Sequence, residues 1–308
     1  MDTALLTREE ETVKQNNGLV AGLGVVLVLC VALLIGVVLL CVPYFGAQEE
    51  LSLPTKETEE TTLPPETEPV ENWPSDLVPA NPYGRNDFQY NEDNHLYCLA
   101  GESRIGIDVS AWQEEIDWMQ VAASGIEFVI IRVGYRGYGA EGKLVQDAYA
   151  VDNIEGALAV GLDVGVYIYS QAITEEEAVE EAEFLLNIIE PYMEALTLPV
   201  VYDWELPAAE SARTRDMDAR TLTDCTLAFC HRIEEAGLEP IVYFNIRQSR
   251  YLMYLEELLD YDFWLAWYSD RMIYPYKVRM WQYTDSGSVP GIKGPVDMNI
   301  WFIYDETA

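Results

Sequence analysis

The amino-acid sequence predicts an α/β fold: a modified TIM-like barrel with five β/α units followed by three strands, preceded by a transmembrane helix and a disordered linker. Three observations predict it. Eight short β-type runs follow one another after residue 104, five helical patterns separate the first six of them, and an apolar segment and a Glu/Thr/Pro-rich segment come before them. Alternating strands and helices favour a parallel sheet, and roughly 200 residues suit one barrel domain.

The first part of this architecture is a membrane-spanning segment. Residues 19–42 form a run of 24 residues without a charged or strongly polar side chain. A helix of that length crosses a bilayer core of about 30 Å. A cleavable signal peptide would have a shorter apolar region followed by a small residue, whereas the bulky Phe45 stands near the end of this run. We therefore predict a tail at 1–18 and an uncleaved transmembrane signal anchor at 19–45.

Charge and composition on either side of the anchor predict its orientation and the character of the next segment. Arg8 and Lys14 precede the apolar run, and Lys56 is the only nearby base after it. This distribution favours a cytoplasmic tail and an extracellular remainder, so that the protein is a single-pass protein of the cell membrane. Residues 46–103 begin with a Glu/Thr/Pro-rich stretch that cannot bury enough apolar surface to offset its ordering entropy. We predict an extracellular linker at 46–103, and leave open whether 83–103 packs on the next domain.

Residues 104–308 contain the elements of the predicted barrel. The eight β-type runs are 105–109, 128–133, 164–169, 199–204, 241–245, 263–268, 278–283 and 296–302. The helical patterns are 116–123, 146–160, one that begins after Thr174, 218–236 and 249–259. Thr174 is a typical N-cap before three glutamates, and Gly161 and Gly237 are typical helix stops. Because the gaps after residue 263 are too short for helices, the last three strands must close the barrel without them.

The most informative motif is VVYDWEL at 200–206, an apolar run that ends in two carboxylates. Side chains alternate faces in a strand, so Asp203 and Glu205 point the same way with Cα atoms roughly 6–7 Å apart. Two acids with separated pKa values are what glycoside hydrolysis needs. The alternative is a strand-end pair that frays into solvent. Asp108 ends the first strand, and the carboxyl ends of barrel strands meet at one face, where catalytic groups gather.

Composition excludes several other kinds of chemistry. His95 and His231 are the only histidines, which argues against Ser-His-Asp and Cys-His hydrolases and against a His-rich zinc site. We predict His231 to be an exposed helix residue. The 53 acidic and 18 basic residues give a formal charge of −35 and argue against a nucleic-acid partner. The five cysteines contain no C-x-x-C spacing, and Cys225 and Cys230 point to different faces of one helix, so we predict no bridge between them.

Four stretches form a recognisable pattern in order along the chain. They are GIDVSAWQ at 106–113 with IDW at 116–118 and GIEFVIIRVGY at 125–135; GVYIYS at 165–170; YDWE at 202–205; and WQYT at 281–284 with VPGI at 289–292 and VDMN at 296–299. Together they resemble the signature of glycoside hydrolase family 25, the Chalaropsis-type lysozymes or N-acetylmuramidases. The resemblance covers about residues 104–303, and the family's barrel of five β/α units and three terminal strands agrees with the pattern above.

The resemblance implies hydrolysis of the β-1,4 bond between N-acetylmuramic acid and N-acetylglucosamine in peptidoglycan. By that resemblance, Glu205 is the general acid, and Asp203 stays ionised and either stabilises the developing positive charge or orients the substrate's acetamido group. Asp108 and Asp297 match two further family acids; the plainer alternative for Asp108 is a helix cap. The aromatic candidates for sugar stacking, each of which could instead be simple packing, are Tyr135, Tyr167, Tyr169, Trp267 and Trp281.

The implied partners are peptidoglycan glycan strands and, through the N-terminal helix, the cell membrane. No cofactor and no metal are implied. Two rival hypotheses belong to other classes. A non-catalytic sugar-binding barrel would keep the aromatic residues and lose the acids, whereas the four acids are all present here. A metal-dependent hydrolase would use those acids as ligands, and the scarcity of histidine weakens its transition-metal versions.

Overall fold

Eleven strands form in the computed structural model, which describes residues 75–207, 209 and 211–304. In chain order they are β1 (Phe88–Tyr90), β2 (Leu96–Cys98), β3 (Ser103–Val109), β4 (Phe128–Arg136), β5 (Leu144–Gln146), β6 (Asp163–Ser170), β7 (Val200–Trp204), β8 (Pro240–Asn245), β9 (Asp262–Ala266), β10 (Met280–Gly287) and β11 (Val296–Phe302). Eight of them, β3, β4 and β6–β11, lie in the eight predicted runs and close into a barrel.

Strand pairing closes the barrel in two different ways. Parallel pairs run from β3 through β4, β6, β7, β8 and β9 to β10. Strand β11 then pairs antiparallel with both β10 and β3. The short strand β5, which the sequence pattern does not predict, pairs antiparallel with the end of β4. The predicted barrel of parallel units closed by terminal strands is therefore confirmed.

Helices follow the first five barrel strands, as predicted. They are α1 (Trp118–Ala123), α2 (Ala150–Ala159), α3 (Glu175–Ile189), α4 (Ala219–Glu235) and α5 (Ile246–Tyr251). Thr174 caps α3 by accepting from the Glu177 N–H, and Gly161 and Gly237 follow α2 and α4 with a φ of 80° each, a conformation that costs glycine nothing. Among the described residues no helix follows β9.

The last predicted helix, 249–259, is wrong in its bounds. The side chains of Asn245 and Gln248 form a capping box, so α5 begins directly after β8, three residues earlier than predicted. It ends at Tyr251, and only a 3-10 turn, Leu255–Glu257, occupies the remainder of the predicted range. The apolar residues after Tyr251 therefore pack as a loop and not as a helix face.

The segment before the barrel packs against it over residues 75–103, which include the range 83–103 that the sequence left open. Strands β1 and β2 form an antiparallel hairpin, and Phe88 of that hairpin packs edge-on against Trp281 with ring centroids 5.0 Å apart. Val78 and Leu96 are buried, and Ala80 forms a β-bridge with Tyr276. This segment covers strands β10 and β11, which have no helix of their own and would otherwise expose an apolar face.

Residues 1–74 lie outside the described part of the chain. The predicted tail, the predicted anchor and the first part of the predicted linker fall within them. In residues 75–207, 209 and 211–304, no helix is both long enough and apolar enough to cross a membrane.

Successive side chains of each strand point alternately outward and inward, and this alternation produces two apolar cores. One lies between the outer faces of the barrel strands, the helices and the hairpin. The other fills the interior of the barrel and contains Phe128, Ile130, Val201, Ile241, Tyr243, Trp264 and Met280. The interior core occupies one end of the barrel, so side chains two residues further along the same strands face its other end.

Candidate active site

The four predicted acids meet at one end of the barrel interior, where the parallel strands end. Each occupies a position whose side chain points into the barrel. Asp203 lies two residues after Val201, whose side chain fills the interior core. Asp108 on β3 and Asp297 on β11 are direct partners in an antiparallel pair. Glu205 follows the end of β7 with the parity of Asp203. The barrel therefore places carboxylates from three strands around one cleft.

The cleft has a volume of about 830 Å³ and is open on one side. Its lining includes all four acids, together with Tyr135, Tyr167 and Tyr169 from the predicted aromatic set. A cleft of this size lies within the range of about 300–1,000 Å³ that is typical of small-molecule sites. The structure thus brings together seven of the nine predicted site residues.

Asp108 and Asp297 form an acid–carboxylate pair. Burial, the charge of Asp108 and a hydrogen bond to Asp108 raise the pKa of Asp297 to about 9. Burial also raises the pKa of Asp108, but hydrogen bonds donated by Asn299, Gln282 and Asp297 oppose that rise. At neutral pH, Asp297 therefore holds its proton and donates it to Asp108.

Asp203 is 7 % exposed and is more deeply buried than Glu205. Burial raises the pKa of Asp203 well above its ordinary value, and the charge of Glu205 adds to the rise. Arg132 acts in the opposite direction because its positive charge favours the carboxylate. Within the described residues, Asp203 Oδ1 has no hydrogen-bond partner. One oxygen of the Asp203 carboxylate thus receives no stabilising hydrogen bond from the described residues.

Glu205 is partly exposed at the cleft and its pKa is also raised. Burial is the main cause and the charge of Asp108 contributes, while a hydrogen bond from Tyr243 acts against the rise. Repulsion between the charges of Asp203 and Glu205 is mutual, so the pair loses its two protons at different pH values. In the pH range between these two ionisations, the pair holds a single proton. A pair in that state contains one proton donor and one carboxylate.

Arg132 fixes the wall of the cleft beside Asp203. Its Nε donates to Asp147 Oδ2 at 2.8 Å, and its guanidinium lies over the Tyr135 ring, 5.5 Å from the centroid. The same Asp147 oxygen accepts from the Ala111 N–H at 3.0 Å. One carboxylate therefore ties β4 to the turn that follows β3, and orients a cation toward the acids.

That turn presents Trp112 at the cleft with 82 % of its surface exposed. Ser110 and Gln113 form a capping box around the turn, which restricts its backbone. Tyr138, also exposed, belongs to another loop of the cleft, and its hydroxyl is 3.0 Å from that of Tyr169. Exposed aromatic rings on restrained backbone offer flat apolar faces of the kind that pack on sugar rings.

Two of the predicted aromatic residues do not line the cleft. Trp281 is 0 % exposed, packs against Phe88, and donates its indole N–H to the Trp267 carbonyl at 2.7 Å. Trp267 packs on the outer core and donates to the Arg271 carbonyl. Neither side chain reaches the cleft because both point to the outer face of their strands, and the residues of those strands that point inward are Trp264 and Gln282.

Several cleft residues escaped the sequence-based prediction. They are Trp112, Arg132, Tyr138, Asp147, Tyr243, Trp264, Tyr268 and Gln282. Gln282 could have been recognised, because a single amide between apolar residues of a strand marks a side chain that needs a polar partner. Trp112 lies inside the GIDVSAWQ motif but carries no charge that would have singled it out.

Other predictions about reactive groups can be compared directly with the structure. His231 is exposed on α4, as predicted. Cys98, Cys225 and Cys230 are buried free thiols, which confirms that Cys225 and Cys230 do not pair. In the part of the chain that the structure describes, no group of three or more His, Cys, Asp or Glu side chains is arranged to hold a metal ion.

Known proteins resemble this chain in both sequence and structure. The autolytic lysozyme of Clostridium acetobutylicum is 28 % identical over 200 residues, which are 63 % of this chain and 54 % of that protein. The uncharacterized protein YegX of Escherichia coli K12 is 30 % identical over 213 residues, 64 % of this chain and 68 % of that protein. The modular autolysin LytC from Streptococcus pneumoniae superposes with a TM-score of 0.59 and 25 % identity.

That superposition covers 73 % of this chain and 52 % of the autolysin, so the chain spans about half the length of the lysozyme and of the autolysin. A sequence model of the glycosyl hydrolases family 25 matches residues 107–292, a range that begins next to Asp108 and includes Asp203 and Glu205. The match covers more than half of the chain and agrees with the barrel and its acidic cleft. The chain belongs to glycosyl hydrolase family 25.

Proposed function

We propose that the chain is a peptidoglycan hydrolase of the lysozyme type, which cleaves the β-1,4 bond between N-acetylmuramic acid and N-acetylglucosamine by carboxylate acid catalysis. The observation that carries this proposal is the pair formed by Asp203 and Glu205, two carboxyls with raised pKa values at the open end of the barrel. The similarity to an autolytic lysozyme supports the choice of substrate.

Glu205 has the position of the proton donor. It is the more accessible carboxyl of the pair, and burial raises its pKa, which is the direction that a proton donor needs. Asp203 supplies the negative charge beside it. Its carboxylate lines the cleft and can stabilise the positive charge that develops on the sugar, or orient the substrate's acetamido group.

A Glu205→Gln variant tests the donor. Glutamine keeps the shape of the side chain and removes the transferable proton, so hydrolysis of purified peptidoglycan should fall by about 10²–10⁴-fold. Glu115→Gln is the matched control, because Glu115 is exposed and lies outside the acidic cleft. Wild-type activity in Glu205→Gln, with an unchanged melting temperature, would rule out Glu205 as the donor.

The identity of the bond is tested on the products. Reduction of the digest with borohydride followed by mass spectrometry shows which sugar carries the new reducing end. A muramidase leaves N-acetylmuramic acid there, and we expect its reduced form. N-acetylglucosamine at the new reducing end would contradict the muramidase assignment while leaving a glycoside hydrolase.

The proposal includes a membrane location, supported by the sequence alone. The apolar run within 19–45 has the length of a membrane span, and the bases before it favour an extracellular barrel. The full-length protein should fractionate with membranes, and protease added to cells without walls should digest the barrel. A trimmed protein in the medium would contradict the anchor, and a protected barrel would contradict the orientation.

A further inference from the structure

Two loops meet at one side of the cleft, and Arg213 joins them. One is the tip of the β4–β5 hairpin, residues 137–143, which carries Tyr138. The other is the loop between β7 and α4, which begins with Glu205. The Arg213 N–H donates to the Tyr138 carbonyl at 3.1 Å. The side chain of Arg213 is 6 % exposed, and its Nη2 donates to Oε1 of Glu177, a residue of α3, at 2.6 Å. A single residue therefore holds the hairpin tip through its backbone and α3 through its guanidinium.

The hairpin tip fits closely around the Arg213 guanidinium. Gly142 lies directly against it, and a Cβ at that position would overlap Arg213 Nη1. The Gly142 carbonyl accepts from Arg136 Nη1 at 2.9 Å, and Arg136 forms an ion pair with Glu181 of α3 at 2.8 Å. The tip is thus fastened to α3 through two arginines, and Arg213 is the one that comes from a different loop.

A second contact fixes the segment that contains Arg213. The Thr214 hydroxyl donates to Gln171 Oε1 at 2.7 Å, and both side chains are buried. Gln171 directly follows β6, and its N–H donates to Glu181 Oε1 at 3.2 Å. Because Thr214 is held in this way, the backbone N–H of Arg213 approaches Tyr138 from a fixed position.

Tyr138 connects this arrangement to the reacting groups. Its ring is exposed at the cleft, and its hydroxyl lies 3.0 Å from that of Tyr169. Tyr169 is the direct partner of Asp203 in the parallel pair of β6 and β7. An aromatic face held at this place borders the part of the cleft that contains Asp203. We infer that Arg213 is a positioning residue, which holds Tyr138 beside Tyr169 as an aromatic wall for the bound glycan.

This inference rests on the proposed function, because the wall acts on catalysis only if the cleft binds a glycan. It also predicts which kinetic constant changes. The Trp204 carbonyl accepts a hydrogen bond from the Gln248 side chain, which fixes the backbone before Glu205 without help from Arg213. Loss of the Arg213 contacts should therefore weaken glycan binding and leave the reacting carboxyls in place.

The test is an Arg213→Met variant of the full chain. Methionine keeps much of the apolar stem and removes the charge and the N–H donors. The KM for a soluble tetrasaccharide of alternating N-acetylglucosamine and N-acetylmuramic acid should rise about fivefold, the effect of one lost aromatic contact. The kcat should change less than KM. A lowered kcat with an unchanged KM would overturn the inference.

Arg232→Met is the matched control. Arg232 pairs with Glu183 of the same helix α3, also at 2.6 Å, and does not line the cleft. Both kinetic constants of this variant should equal those of the wild-type protein. A KM raised as much as in Arg213→Met would mean that any broken ion pair on α3 has this effect, and would overturn the role of Arg213.

Two further variants test the route through Tyr138. In a Tyr138→Ala background, Arg213→Met should produce no further rise in KM, because the ring that Arg213 positions is gone. An equal rise in both backgrounds would overturn the inference. Glu177→Ala breaks the same ion pair from α3 and leaves Arg213 intact, so it gives the test again if Arg213→Met does not fold. An unchanged KM in Glu177→Ala would also overturn the inference.

A measurement without turnover separates this inference from the proposed function. 3-Fluorotyrosine placed at position 138 alone gives a ¹⁹F signal that reports the surroundings of the ring. The signal should shift in Arg213→Met and stay in place in Arg232→Met, and an unmoved signal in Arg213→Met would refute the positioning role. An inactive wild-type protein would refute the proposed function, while the fluorine signal would still decide whether Arg213 positions Tyr138.

Discussion

Removal of the Asp203 charge should move the basic limb of the pH–rate profile to lower pH. In the wild-type pair, the second proton leaves against the charge of a carboxylate that has already ionised, which delays its loss as the pH rises. Asp203→Asn leaves Glu205 to titrate beside a neutral amide. The active, protonated form of Glu205 is then lost at lower pH, and the rate falls as well because the stabilising charge is gone.

The register of β7 gives the size of the shift. Residues two apart along a strand are separated by roughly 6.5 Å. At an effective dielectric constant of about 20, the repulsion between two charges at that distance is roughly 2.5 kcal/mol, or about two pKa units. Relaxation and counterions in an open cleft reduce the interaction, so a shift of about one to two pH units is expected.

The assay is kcat/KM on purified peptidoglycan between about pH 4 and pH 9, since this ratio reports ionisations of the free enzyme. Asp285→Asn is the matched control, because Asp285 is an exposed acid of the same cleft and its charge is screened by solvent. Its basic limb should stay where the wild-type limb lies. A lowered rate with an unmoved limb in Asp203→Asn would show that Asp203 acts on the substrate alone. A limb moved to higher pH would refute the reasoning about the pair.

Two comparisons of paired variants test other parts of the site. Trp112→Ala should raise KM by roughly tenfold through loss of an aromatic contact, whereas Trp281→Ala should lower the free energy of unfolding by about 3–5 kcal/mol and leave the KM of the folded protein unchanged. The opposite pattern in urea unfolding and steady-state kinetics would place Trp281, and not Trp112, against the sugar. Asp297 holds a proton below about pH 9, so Asp297→Asn keeps a neutral donor and should retain most activity at pH 6. Asp108→Asn removes a charge and should lower kcat by roughly 100-fold; equal losses in the two variants would contradict the assignment of the shared proton.

The barrel could be predicted from the sequence because its strands are short apolar runs separated by strong local signals. Thr174, Gly161 and Gly237 mark helix ends through their own backbone and side-chain chemistry, and the structure confirms each of them. The hairpin before the barrel could not be predicted in this way. Leu96 of the hairpin, like Val78 in the segment before it, is covered by a surface that strands nearly two hundred residues away provide. No local pattern records a partner at that distance.

The difference between local signals and distant partners also explains which site residues could be predicted from the sequence. A charged side chain in a buried strand identifies the inward face, because a carboxylate on the outer, helix-covered face would have no solvent and no partner. Asp108, Asp203 and Asp297 therefore identify the inward positions of β3, β7 and β11 by their charge. Strand β9 contains one charged residue with the parity of Trp264, Asp262, but it is the first residue of the strand and forms an ion pair with Arg279. It therefore marks the cleft end of the strand poorly, and the sequence-based prediction chose Trp267, which packs outside, and not Trp264, which faces the cleft.

Strand β10 does contain such a marker, and it shows how far charge and polarity can identify a strand face. Gln282 is the one amide between Trp281 and Tyr283, and by the same reasoning it belongs inside, where it meets Asp108. Its position then requires Trp281 to face outward, as it does in the folded chain. The polar residue, and not the larger aromatic one beside it, identifies the functional face of the strand. What the sequence could not supply is the direction of the Gln282 amide, since that depends on Asp108, which accepts from its nitrogen, and on Tyr243, which donates to its oxygen, from two other strands.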